Sequence, residues 1–445
     1  MTRPTAFPTP SVITVDGVGN LVAALRASEL PGAAGIVLVR FTSSDETVLA
    51  SSPTRFSPKS DFLAAGVVQL SGVTVAVHDG TSTASHELED VTLDIRNLPA
   101  RVGVREYLAA RPDGRIISAM HHDHPYEDPA ETDDLHRRVA SETGVHPALY
   151  SADFLTGRTV PFRENMIDEV IRQWANGCLV QIMFHVSPPQ YTVAQEVEGG
   201  WGTDAAEEAM PGPNRVYSFL PEARWAELMT EGTELNAGWR ARMDEYARHL
   251  QRLDDAGVTV LLRPFHEMNQ HVFWWGGRPG PSGTAGLFRM FRTHLENVWN
   301  LTNIVWVWNV QDLPDDYGFA QGENFGRYRG VDGGLAEYDA NDWDLFNPGA
   351  EFYDVLSVDF YDDEGYSPRR YEQALRIAQR DGKPMIIGET FVLPGADVIE
   401  AQPEWALAMP WGARSWNHNT PEAMASFYRG SVGAADLPRF SRREG

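Results

Sequence analysis

From about residue 103 the apolar positions repeat: a short unbroken apolar run, a polar loop, then a stretch whose apolar residues recur every three or four positions. Such short runs read as strands buried on both faces, and the longer stretches as amphipathic helices that cover them. Strands are expected near 115–120 (RIISAM), 147–152 (PALYSA), 178–186 (CLVQIMFHV), 257–264 (GVTVLLRP), 303–310 (NIVWVWNV), 353–361 (YDVLSVDFY), 383–389 (KPMIIGE) and 411–416 (WGARSW). Between them lie segments such as WRARMDEYARHLQRLDDAG, 239–257, with helical spacing and a stop at Gly257. Eight strands alternating with helices predict an α/β fold of the (β/α)8 TIM-barrel type. An open doubly wound sheet fits less well, because GVGNLV at 17–22 lacks the last glycine of G-x-G-x-x-G and lies outside the alternating region.

The first 98 residues have another rhythm. Short β-rich runs (GIVLVRF, ETVLA, GVVQL, GVTVAV, VTLDI) stand close together between Gly, Ser, Thr and Asp clusters, which predicts an all-β, sandwich-like accessory domain. This segment contains neither Trp nor Tyr, so it lacks the flat aromatic platforms on which sugar-binding modules stack pyranose rings, and a structural role is favoured. The expected organisation is therefore an accessory domain over 1–98, a barrel over 99–430 and a frayed tail over 431–445.

Composition changes this picture in few places. The 445 residues, 42% hydrophobic and with thirteen Trp, suffice for a barrel with a large core plus a smaller domain. A formal charge of −25 disfavours nucleic acid and anionic membrane as partners and leaves a neutral polysaccharide or oligosaccharide unopposed. Cys178 is the only cysteine, so no intrachain disulfide and no thiolate metal cage is available; within CLVQIMF it reads as a small buried hydrophobe. The opening MTRPTAFPTPSV has no signal-peptide pattern. The expected compartment is extracellular if a leader precedes this stretch and cytoplasmic otherwise. The oligomeric state is left open.

Chemistry enters at LLRPFHEMNQHVFWWGG, 261–277, which ends an apolar strand with a proline, a histidine, a carboxylate and two tryptophans. In a (β/α)8 barrel the reacting groups stand at the C-terminal ends of strands. Glu267 follows the fourth expected strand, and Glu389 ends the seventh inside PMIIGET, a costly place for a carboxylate that is merely buried. Two carboxylates facing each other across a barrel mouth are the arrangement that glycoside hydrolysis needs. A zinc reading of HEMNQH fails, since His266 and His271 are five apart and differ by about 140° around a helix. MHHDHP, with His121, His122, His124 and Asp123, is a weaker metal candidate than a polar loop, and no G-x-S-x-G nucleophile elbow occurs. No cofactor and no metal is expected.

Over residues 103 to 420 the chain resembles glycoside hydrolase family 26, the β-mannanase family within the large retaining clan of (β/α)8 barrels, clan A. The resemblance rests on RPFHEMNQHVFWWGG, with SADF, MFHVSPP, LSVDFYDD and IIGET in order. It implies Glu267 as acid/base and Glu389 as nucleophile, with Arg263 and Tyr361 holding Glu389 and His266 orienting the sugar or the neighbouring carboxyl. His185 and Asp359 match sugar-contacting positions, while Trp274 and Trp416 are candidate aromatic contacts, Trp416 as a floor at the end of strand eight. Trp274 and Trp275 cannot both face one sugar ring, and Asn309, Asp312 and Asp153 are further polar candidates. Two departures bear on the substrate. Gln270, His271 and Val272 stand where family mannanases commonly have Gly, any residue, Trp, and a long acidic loop runs over 187–214.

The resemblance thus implies a retaining endo-β-1,4-mannanase. Its alternatives are another β-glycanase of the family, acting on mixed-linked β-glucan or β-1,3-xylan, an exo-acting enzyme, or a non-catalytic carbohydrate-binding barrel.

Overall fold

The computed structural model describes residues 101–111, 114–123, 126–200, 214–314, 338–361 and 365–441, together with the backbone of seven strands between residues 12 and 96. Eight parallel strands close a barrel in chain order: β1 (Ile117–His121), β2 (Leu149–Asp153), β3 (Leu179–Met183), β4 (Val260–Arg263), β5 (Ile304–Asp312), β6 (Val355–Phe360), β7 (Met385–Thr390) and β8 (Trp405–Pro410), with β8 pairing back onto β1. Apart from β5, every residue of these strands is buried. That burial is why their sequences run apolar without alternation. The (β/α)8 class expected from the sequence is the one observed.

The covering helices follow from their stripes. In Glu234–Asp255 the buried residues Leu235, Trp239, Met243, Tyr246, Leu250 and Leu253 recur at three and four, and the Thr233 hydroxyl caps the start by accepting from the Asn236 N–H at 3.2 Å. Among the described residues no helix is long and apolar enough to cross a membrane.

Two expectations need correction. Strand eight is not 411–416 but Trp405–Pro410; WGARSW forms a 3-10 turn, Gly412–Arg414, and a short helix, Ser415–His418. The sequence WALAMP has no β-branched residue, so its local preference conceals a strand that only barrel closure imposes. The tail is not frayed from 431. Val432 exchanges backbone hydrogen bonds with Ile116 and Ser118, and Arg439–Phe440 pairs in parallel with Arg101–Val102. Phe440 is buried against Tyr107 and Trp174, so residues 431–441 belong to the barrel body.

The seven N-terminal strands form two sheets. In one, Val91–Arg96 lies between Val12–Asp16, in parallel, and Gly66–Leu70, antiparallel. In the other, Val48–Ser52, Leu38–Thr42, Thr74–His78 and Thr83–Glu87 follow one another antiparallel. The side chains that a sandwich core would use lie outside the described residues.

Candidate active site

The end of β4 is a bent segment. Pro264 stops the strand, and Phe265 and Glu267 take left-handed φ angles of 52° and 50°. Non-glycine residues adopt that region only where the surroundings enforce it, and such strain gathers at functional sites. Here the restraints are visible. Trp275 Nε1 donates to the His266 carbonyl at 2.8 Å, and the Glu267 N–H donates to Asn309 Oδ1 at 2.6 Å. Asn309, on β5, also donates to Ser357 Oγ and Asp359 Oδ1, each at 2.8 Å, and so ties the turn to β6.

Glu389 reaches the same place by another device. The pairing of β6 with β7 steps from Val358–Ile387 to Asp359–Glu389, which skips Gly388. A Cβ at Gly388 would stand 2.0 Å from Ser357 Oγ and 2.5 Å from Asp359 Oδ1, so only glycine allows this close approach.

One oxygen each from Glu267, Asp359 and Glu389 lies within 4.8 Å of the others, and all three residues are buried. The fully buried guanidinium of Arg263 binds Glu389 Oε1 at 2.5 Å through Nη1 and pairs with Asp359 Oδ2 through Nη2. The Tyr361 hydroxyl donates to Glu389 Oε2 at 2.5 Å. Among the described residues Glu267 makes no ion pair, and its carboxyl accepts from the side-chain amide of Gln270 alone. Burial, reinforced by the charges of Asp359 and Glu389, pushes the Glu267 carboxyl well above the usual carboxylate range. The three carboxylates are the one group of potential metal ligands that converges among the described residues, and Arg263 already supplies a cation against two of them.

Histidines and aromatics form the adjoining wall. His185, just after β3, pairs through Nδ1 with Asp153 and packs edge-on to His266 at 4.3 Å. His266 also lies against Phe273 and Trp275, and its buried Nδ1 has no hydrogen-bond partner among the described residues. Burial holds the His266 imidazole well below its ordinary pKa, so it is neutral. Trp411, at the end of β8, stacks on His121 at 4.0 Å and packs edge-on to His185 at 5.5 Å. On this side a cavity of about 160 Å³ is lined by His121, His122, Asp123, Asp153, Trp411 and Arg414, among others.

The structure therefore brings together Glu267, Glu389, Arg263, His266, His185, Asp359 and Tyr361. It does not place Trp274 or Trp416 there. Trp274 is 1% exposed, donates to the Val186 carbonyl and packs on Trp239, Phe265 and Trp275 behind the turn; Trp275 is buried as well. Trp416, displaced by the shift of strand eight, stacks on Arg138 and donates to Glu142 on the outer helix Asp134–Thr143. The aromatic that occupies the strand-eight position is Trp411. Asp312 is committed to Arg370 at 2.6 Å. Of the histidines in MHHDHP, His124 lies outside the described residues; His121 and His122 line the same cavity but form no group of metal ligands among the described residues, His121 meeting Ser151 and Trp411 and His122 facing Asp134. In the 187–214 loop, residues up to 200 are anchored by Glu196, whose buried carboxylate binds Arg163, Arg242 and Tyr246; residues 201–213 lie outside the described residues.

Sequence reasoning overlooked Trp411 and treated Asn309 as marginal. WALAMPW contains the signal for Trp411, an apolar run followed by a tryptophan; register alone hid it.

Fold and site together define a (β/α)8 barrel with two carboxylates facing each other from β4 and β7. The model of glycosyl hydrolase family 26 matches residues 102–433, and the chain belongs to that family. Among curated relatives, a mannan endo-1,4-β-mannosidase of Thermothelomyces thermophilus is 25% identical over 302 residues, 65% of this chain and 53% of the relative. One from Bacillus subtilis is 26% identical over 285 residues, 60% of this chain and 64% of the relative. The matches thus span between half and two thirds of these relatives. A family 26 protein of a Muricauda species, GH26A, superposes with TM-score 0.61 at 28% identity, covering 77% of this chain and 99% of that one. A β-mannanase from a symbiotic protist of the termite Reticulitermes speratus, solved with a gluco-manno-oligosaccharide, shares the fold with TM-score 0.57 at 18% identity, covering 77% of this chain and 97% of that one.

Proposed function

We propose that the protein is a retaining glycoside hydrolase, an endo-β-1,4-mannanase, that works by double displacement. The observation that carries this reading is the spacing of Glu267 and Glu389, whose nearest oxygens lie within 4.8 Å. Retaining enzymes hold the two carboxyls about 5–5.5 Å apart, whereas inverting ones need about 6.5–9.5 Å to admit a water.

Glu389 attacks the anomeric carbon, and Arg263 and Tyr361 aim its two oxygens. Glu267, kept protonated by burial beside two carboxylates, gives its proton to the glycosidic oxygen as that bond breaks. In the second step Glu267 removes a proton from water, the water attacks the glycosyl-enzyme ester, and Glu389 leaves as carboxylate. The anomeric configuration is inverted twice and so retained. His266, neutral and packed between His185, Phe273 and Trp275, backs the wall of the site, and Trp411 offers a ring face at its edge. The mannan specificity is supported by the curated relatives, both named mannan endo-1,4-β-mannosidases.

Product analysis after incubation with linear β-mannan, galactomannan, mixed-linked β-glucan and β-1,3-xylan tests the reading. Manno-oligosaccharides of several lengths are expected. A single product size would make the enzyme exo-acting, cleavage of only the other two glycans would change the substrate, and no cleavage of any would point to a binding protein.

A further inference from the structure

The turn that carries Glu267 holds a second polar side chain against it. Gln270, 7% exposed, donates its side-chain N–H to Glu267 Oε2, and its backbone N–H donates to the Glu267 carbonyl at 3.2 Å. The Gln270 carbonyl fills the place where a Cβ on Gly276 would come within 2.2 Å, so the first glycine of WWGG lets the turn close around it. Gln270 has no part in the reaction as written above, and it stands where the family resemblance leads one to expect glycine.

We propose that Gln270 is a positioning residue for Glu267: its amide occupies Oε2 and leaves Oε1 as the oxygen that gives the proton to the leaving group and takes one back from water. The proposal rests on the reading of Glu267 as acid/base. The amide N–H donates to Oε2, and a carbonyl or ionised oxygen accepts such a bond better than a hydroxyl oxygen does, so the proton of the neutral carboxyl is favoured on Oε1. The turn fixes the backbone of Glu267 through Asn309, and Gln270 then fixes the rotation of its carboxyl.

A consequence for pH dependence follows. Among the described residues, the charged and titratable groups facing Glu267 are Arg263 at the end of β4, Asp359 on β6, Tyr361 after it, Glu389 on β7 and Tyr217, which is bridged to Phe273. Asp359 and Glu389 oppose its ionisation and Arg263 favours it. A donor on Oε2 acts with Arg263, because it stabilises the ionised form. Removing that donor therefore raises the pH above which the acid is lost.

The test is the pH profile of kcat/KM for Gln270→Met, which keeps the length and removes the donor, on the glycan that the enzyme cleaves and on an aryl glycoside with an activated leaving group. The expected result is an alkaline limb displaced upward by about one pH unit. On the glycan kcat/KM falls roughly tenfold, while the aryl glycoside, which needs no proton, changes by less than about twofold. Gln270→Glu, which puts a like charge in the same place, moves the limb further up and serves if the Met variant folds poorly. A limb that stays put or moves down, or equal losses on both substrates, overturns the proposal. Glu267→Ala in the same assay separates the two layers. If it fails to discriminate between the leaving groups, the acid/base reading falls; if it discriminates while Gln270→Met leaves the limb in place, only the role of Gln270 falls.

Discussion

The two strand ends that meet in the site are built in opposite ways. At β7, Glu389 sits on a strand whose register skips Gly388, with a guanidinium on one oxygen and a phenol on the other. At β4, Glu267 has a left-handed backbone beyond a proline and, among the described residues, is held by the side-chain amides of Asn309 and Gln270. Both carboxylates are buried and come from one residue type, so the difference in their proposed roles must come from the neighbours. An ion pair suits a carboxylate that attacks as an anion, and burial without a cation suits one that keeps its proton.

The strongest way to break the comparison is to remove the β7 carboxylate. Glu389→Ala is expected to lower kcat by at least about 10⁴-fold, with external azide restoring turnover to a product of inverted configuration. Removing the β4 carboxylate is expected to act selectively. Glu267→Ala lowers kcat/KM on the glycan by about 10²–10⁴-fold and spares activated aryl glycosides. Equal, small losses in both variants would sink the assignment of roles.

A pH profile sharpens the same contrast. In the proposed mechanism Glu267 is protonated in the first step, and burial raises its pKa, so kcat/KM on the glycan is expected to fall as pH rises through a value well above the usual carboxylate range. That alkaline limb should be missing from the profile on an aryl glycoside with a good leaving group.

Gly388→Ala probes how β7 delivers its carboxylate. The added Cβ has to displace Ser357 or Asp359, and denaturant unfolding should show a loss of about 1–3 kcal/mol together with reduced activity. The smallest effect concerns the aromatics. Trp411→Ala is expected to raise KM by about two- to tenfold, the worth of one ring face, while Trp416→Ala leaves KM unchanged within error.

Much of this was legible in the chain. Barrel strands are buried on both faces and helices on one, so the alternation of apolar runs with three-four stripes revealed the architecture. Glu267 and Glu389 stood out because each interrupts or ends a run in which a carboxylate is costly. Strand eight was misplaced because Ala and Met carry no strand preference, and the error carried Trp416 into the site and left Trp411 out. Trp274 looked like a platform because a tryptophan beside a catalytic turn serves packing or stacking equally well, and sequence holds no sign of which way it faces.

The sequence by itself determined the fold class, the two carboxylates and their strand ends, because these depend on local periodicity and on residue types that the core otherwise rejects. The tertiary structure alone decided how the two acids differ. Arg263 could have served either one, and the closure of eight strands places it against Glu389 and Asp359, with Asn309 and Gln270 left to hold Glu267. Charges 96 and 126 residues apart along the chain set each other's protonation only through the distances that the barrel imposes.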